Sequence, residues 1–227
     1  MYPSALHAEW LKIRTLRSQV VTLAVIPLVT LAFSVLAGRD ASGDDPLFSA
    51  YFGVSFGQIA AVSFAANAMA AEFRDGALRT SLAAVPDRTR WFAAKATAIA
   101  LPVLAVGLLT GALSLSTGDG LGWAESFRGA VGCGIYLTLM ALLAAGLTAV
   151  LRSGVATLGI VVPFLLIVSF VVGDLSGTVA DWFPDRAGQA VLHSDPPVDP
   201  WAGLSVTALW SGVALGAGVW RVGRRDA

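Results

Sequence analysis

Three consecutive stretches decide the fold of this chain: SAYFGVSFGQIAAVSFAANAMAA (49–71), EFRDGALRTSLAAVPDRTRWFAAK (72–95) and ATAIALPVLAVGLLTGALSL (96–115). The first and third contain no Asp, Glu, Lys or Arg. Each is about as long as the 20 helical residues that cross a bilayer's hydrocarbon. The middle stretch holds Arg74, Arg79, Arg88, Arg90 and Lys95 beside Glu72, Asp75 and Asp87. The pattern reads as two membrane spans joined by a short charged connector.

Working outward, four further charge-free windows of similar length occur at 19–37, 129–151, 153–173 and 201–220. The six windows are continuous apolar runs, unlike the alternating ten-residue segments of a barrel, and lipid leaves such runs only the helix. The expectation is therefore an all-α integral membrane protein forming one transmembrane domain over 1–227, with six spans. Composition agrees: 56% of residues are hydrophobic, 13% are charged and the mean hydropathy is +0.73. Soluble domains are nearer one quarter charged.

The zero net charge conceals a segregation. Lys12, Arg14, Arg17, the five basic residues of the connector, Arg152, Arg221, Arg224 and Arg225 fall on one side of the predicted membrane; only Arg39, Arg128 and Arg186 fall on the other. Most acids, including five aspartates in the 174–200 loop, lie on that second side. Basic residues mark the cytoplasmic face, so both termini and the 72–95 connector are expected inside. Trp10, Trp91 and Trp220 then belong to the inner interface and Trp123, Trp182 and Trp201 to the outer one. Trp210, mid-span, reads as a packing residue.

Residues 3–17 form an amphipathic pattern with Leu6, Trp10 and Ile13 on one face and Glu9, Lys12 and Arg14 elsewhere, suited to the membrane plane. In the outer loop, short interfacial or re-entrant helices are expected within 179–192. Gly53/Gly57, Gly107/Gly111 and Gly212/Gly216 are small-xxx-small pairs of the kind that lets helices approach closely. Gln58 and Asn67 are the most polar side chains within a span, read as helix-packing or path-lining groups. No ionisable residue falls inside a span, against the pattern of ion-coupled carriers.

Catalytic patterns are scarce. His7 and His193 fall on opposite sides of the membrane, and Cys133 is the only cysteine. The Asp75-Gly76-Ala77-Leu78-Arg79 run touches the aspartate-rich motif of CDP-alcohol phosphatidyltransferases, but the later aspartates of that motif are missing. A lipid-modifying enzyme is thus a minor reading. No phosphate-binding G-x-x-x-x-G-K-[ST] loop occurs, so the chain has no ATPase site of its own.

The ordered set Glu72, Gly76, Arg79, Leu82, Pro86, Arg88 and Lys95, preceded by ALHAEWLKIRTLRS (5–18), resembles the type-2 permeases of ABC exporters. The resemblance covers essentially the whole chain. It implies a bacterial inner-membrane transport subunit that pairs with a second permease chain in the lipid bilayer and binds no nucleic acid. It also implies a separate ABC ATPase subunit carrying ATP and Mg2+, with no cofactor on this chain. The connector would then hold a coupling helix near 75–85, with Glu72, Asp75, Gly76, Leu78, Arg79, Leu82, Val85 and Arg88 at the docking site. Leu78, Leu82 and Val85 would enter the partner's groove, arginines would rim it, and Leu6, Trp10 and Ile13 would belong to the elbow helix. A non-transporting scaffold or immunity protein that tethers an ATPase is the alternative.

Overall fold

The computed structural model describes residues 2–39, 45–85, 87–117, 121–168, 171, 181–196 and 198–225, and its regular elements are all helical. In chain order they are α1 (Tyr2–Thr15), α2 (Arg17–Arg39), α3 (Pro46–Tyr51), α4 (Val54–Ala70), α5 (Ala77–Ala84), α6 (Arg88–Ser114), α7 (Trp123–Leu151), α8 (Gly154–Pro163), α9 (Pro184–Gln189) and α10 (Pro200–Arg225). Among the described residues, five segments are long and apolar enough to cross a membrane: Arg17–Ala37, Pro46–Phe73, Arg88–Thr117, Trp123–Leu151 and Pro200–Arg224. Gly154–Val168, within the fifth expected window, is a shorter apolar helix. Residues 169, 170, 172 and 173 of that window lie outside the described residues.

Helix boundaries differ from the hydropathy windows because capping, not charge, sets them. Asp87 accepts from the backbone N–H groups of Thr89 (3.1 Å) and Arg90 (3.2 Å), so α6 begins before the charge-free window and carries Trp91 and Lys95 within it. Glu125 accepts from Gly122 N (3.2 Å) and likewise starts α7 early. Asp45 accepts from Phe48 N (3.0 Å) and nucleates α3. The second span is broken between α3 and α4 where Gly53 crosses α2. A Cβ there would lie 1.8 Å from the Thr30 carbonyl oxygen.

Helix α7 is central, packed against α4, α6 and α10. Its seam with α6 is backbone-close: a Cβ on Gly111 would stand 2.5 Å from Ala130 O. The Gly107/Gly111 and Gly53/Gly57 pairs both serve such approaches, whereas among the described residues nothing lies within 4 Å of a Cβ on Gly212 or Gly216. Trp210, read from sequence as a packing residue, is 48% exposed; its indole N–H donates to Trp182 O at 3.1 Å.

One end of the bundle gathers α1, α5 and the bases Lys12, Lys95 and Arg88, and the other gathers α3, α9 and the acids Asp45 and Asp185, with Arg128 and Arg186 among them. At the acidic end, helix α9 and a 3-10 turn at Ala190–Leu192 are inserted between α7 and α10. Thr207 donates to Pro184 O (2.8 Å) and Arg128 to His193 O (2.7 Å). Asp45 also accepts from the Ser194 hydroxyl (2.7 Å) and N–H (3.1 Å), tying the start of the second span to the last loop.

Candidate functional site

At the basic end, the chain leaves α4 through a 3-10 turn at Ala71–Phe73 and then reverses. Two successive residues, Asp75 (φ 52°) and Gly76 (φ 75°), adopt left-handed conformations. Glycine takes that conformation without strain, and no atom would obstruct a Cβ on Gly76, so its role is conformational. Helix α5 follows with eight residues. An isolated helix shorter than about 12 residues is marginal in water, so tertiary contacts must hold it. Leu78 supplies one as part of the buried core, and Leu82 and Val85 pack partly buried against that core.

Ser81 supplies the other contact, to a ring of four alternating charges. The Glu72 carboxylate accepts from Lys95 Nζ (2.8 Å) and Lys12 Nζ (3.0 Å) on Oε1, and from the Ser81 hydroxyl (3.0 Å) on Oε2. Glu9 closes the ring by accepting from Lys12 (2.7 Å) and Lys95 (2.7 Å). Glu9, Glu72 and Lys95 are each at most 5% exposed. Two carboxylates face two ammonium groups, so the ring is neutral as a whole. Burial alone would lower the Lys12 pKa, but its hydrogen bonds to Glu9 and Glu72 outweigh that and raise it. Four elements converge here: α1, the end of the second span, α5 and the first turns of α6.

The ring corrects several expectations. Glu72 sits where the sequence reading put it, yet it pairs with lysines of α1 and α6. Arg74 is exposed. With both Glu72 oxygens occupied and Asp75 exposed, the two acids do not converge on one site. On α1 the buried positions are Glu9 and Ile13, with Leu6 packed beside them, while Trp10 is 37% exposed. At about 100° per residue, the stripe centred on these three leaves Trp10 at its edge. Leu78 is buried in the chain's own core and Leu82 and Val85 pack partly buried against it, so much of this apolar face is taken up by the chain itself. What α5 shows outward is Arg79, Thr80 and Ala83, continuous with exposed Arg74, Asp75 and Gly76. Arg88 does not rim that surface: its guanidinium donates to the carbonyls of Val222 (3.0 Å) and Gly223 (2.9 Å) in the last turn of α10.

Of the two polar intramembrane residues, Gln58 is buried and accepts from the Tyr136 hydroxyl. Asn67 is exposed on α4. Sequence reading missed Glu9, Lys12 and Ser81 as a set because the contacts that close the ring are distant, 86 residues for Glu9 with Lys95 and 60 for Lys12 with Glu72, although Lys12 lies three residues from Glu9 and Ser81 nine from Glu72. One signal was present: Glu9 falls between Leu6 and Ile13 on the apolar stripe, where an unpaired acid would not be tolerated. Comparison with family models and with curated proteins returns no match to this chain.

Proposed function

We propose that this chain is the permease subunit of an ATP-driven exporter of the bacterial inner membrane. In this reading it has six spans with both termini inside and works beside a second permease chain. A separate ATPase subunit, which carries the ATP and Mg2+, docks on the 72–95 connector. The observation that carries the reading is the buried charge ring. It fastens a short cytoplasmic helix, α5, to the spans on either side of it and to α1, so that a force applied to α5 reaches three other elements. A loop whose only role was to anchor the membrane surface would need no such fastening, since arginines alone satisfy lipid headgroups.

The docking surface in this proposal is the polar outward face of α5: Arg74, Arg79 and Thr80, with Asp75 and Gly76 at the turn. Its recognition is electrostatic at the rim rather than by insertion of leucines, which favours association rate and register. The test is co-expression with the ATPase encoded nearest to this gene, followed by affinity purification in mild detergent. A stoichiometric complex that hydrolyses ATP, lost with Arg79→Glu, supports the reading. A permease that purifies alone, or a complex indifferent to Arg79→Glu, overturns it.

A further inference from the structure

A cavity of about 690 Å3 opens at the acidic end of the bundle, between α3, α4, the π turn at Phe164–Val168 and the segment 181–193. Its size falls in the range of small-molecule sites. One wall is an aromatic ladder: Phe48, Phe52 and Phe56 recur every fourth residue, with ring centroids 5.9 Å apart for the first pair and 5.8 Å for the second. The ladder is braced at both ends, by Phe33 stacked on Phe56 (4.0 Å) and by His193 stacked on Phe48 (4.2 Å).

The polar part of the wall is mostly committed to itself. The Tyr136 hydroxyl donates to Gln58 and accepts from Gln189 Nε2 (3.1 Å), while the Ser55 hydroxyl donates to Gln189 Oε1 (3.1 Å). These amides and hydroxyls therefore hold the cavity's shape. Asp181, Asp185 and Arg186 also line the cavity, and Asp185 and Arg186 have partners of their own, so the described lining carries two acids against one arginine. Phenyl faces attract cations through their quadrupoles, and a carboxylate in a partly desolvated rim strengthens that preference.

We propose that this cavity binds an amphipathic organic cation, its apolar body on the Phe48–Phe52–Phe56 ladder and its positive centre toward Asp181. The proposal requires no ATPase and stands or falls separately from the exporter reading. Tetraphenylphosphonium and tetraphenylborate, nearly identical in shape and opposite in charge, discriminate it. The full chain, purified alone into phosphatidylcholine nanodiscs, is titrated with each by equilibrium dialysis.

The expected result is saturable phosphonium binding at about one site per chain, with borate at least about tenfold weaker. Asp181→Asn and Phe52→Ala should each weaken phosphonium binding by roughly five- to tenfold without altering the borate isotherm. Asp181 lies at the rim, so its substitution tests the site even if Phe52→Ala fails to fold. Both isotherms are read above empty nanodiscs, because the bilayer's dipole potential favours uptake of the anion; saturable binding of the two ions with equal affinity would overturn the proposal. So would the absence of a saturable component, or an affinity unchanged by Asp181→Asn. Competition by phosphatidylcholine that ignores Asp181→Asn would mark the cavity as a lipid seat and overturn it equally.

Discussion

Removing Lys95 tests how the charge ring holds the basic end together. Its ammonium lies 2.7 Å from Glu9 and 2.8 Å from Glu72, and the residue is 4% exposed. Lys95→Met keeps the length and apolar stem but changes the ring from neutral to one net negative charge. Lys12, whose side chain is 43% exposed, is then the sole cation facing two buried carboxylates. Breaking a buried pair by deleting one partner costs about 3–5 kcal/mol, because the orphaned charge stays buried. At about 2–4 °C per kcal/mol for a chain of this size, the thermal midpoint in nanodiscs should fall by roughly 6–20 °C. Glu9→Gln added to Lys95→Met restores neutrality and leaves the Lys12–Glu72 pair intact. The double variant should therefore recover at least about half of that loss, roughly 1.5–2.5 kcal/mol, where independent effects would recover none. Strictly additive losses would refute the ring as a cooperative unit, as would a Lys95→Met protein as stable as the parent.

Two further outcomes follow from packing and pH. Gly111→Leu, at a position where even a Cβ would stand 2.5 Å from Ala130 O, should cost about 3 kcal/mol or more of stability by forcing α6 and α7 apart. Gly212→Ala, with nothing within 4 Å among the described residues, should stay within about 0.5 kcal/mol of the parent in the same unfolding assay. At the acidic end, burial holds His193 below its ordinary 6.5, against the pull of Asp45. Burial would raise Asp45, but the donors of Phe48 and Ser194 outweigh it and hold that carboxyl below 3.8. Both folded-state values are depressed, so the unfolded chain binds more protons and stability rises with pH. The His193 contribution is complete above pH 6.5 and is lost as pH falls through its lowered value; the Asp45 contribution is lost only below pH 3.8. Thermal midpoints measured from about pH 8 to about pH 3 should show both limbs, with His193→Gln flattening the upper one alone.

The five long apolar helices were legible in the sequence because hydropathy needs only a window about 20 residues long. The ends of those helices were less so. The Asp87 and Glu125 caps extend α6 and α7 past the charge-free windows, since charged side chains at a helix terminus reach water while their backbone stays helical. Helix α5 falls within the 75–85 stretch where the family resemblance leads one to expect a coupling helix. Its orientation was not legible. Leu78, Leu82 and Val85 define an apolar face on any helical wheel, but periodicity cannot say whether that face meets the chain's own core or a partner. Glu72 was recognisable as an odd carboxylate at a span's end. Its partner Lys12 was not, because pairing across 60 residues leaves no trace in local spacing.

On the proposed reading, α5 presents its polar face to an ATPase while its leucine face and Ser81 bind it to the chain itself. A photo-crosslinking amino acid placed at exposed Thr80, and in a second variant at Ser81, tests this in intact membranes. The account predicts that position 80 captures a polypeptide whose peptides contain a phosphate-binding loop, whereas position 81 crosslinks only within the chain. Capture from position 81, or no such polypeptide from position 80 under conditions where the ATPase is co-expressed, would contradict it.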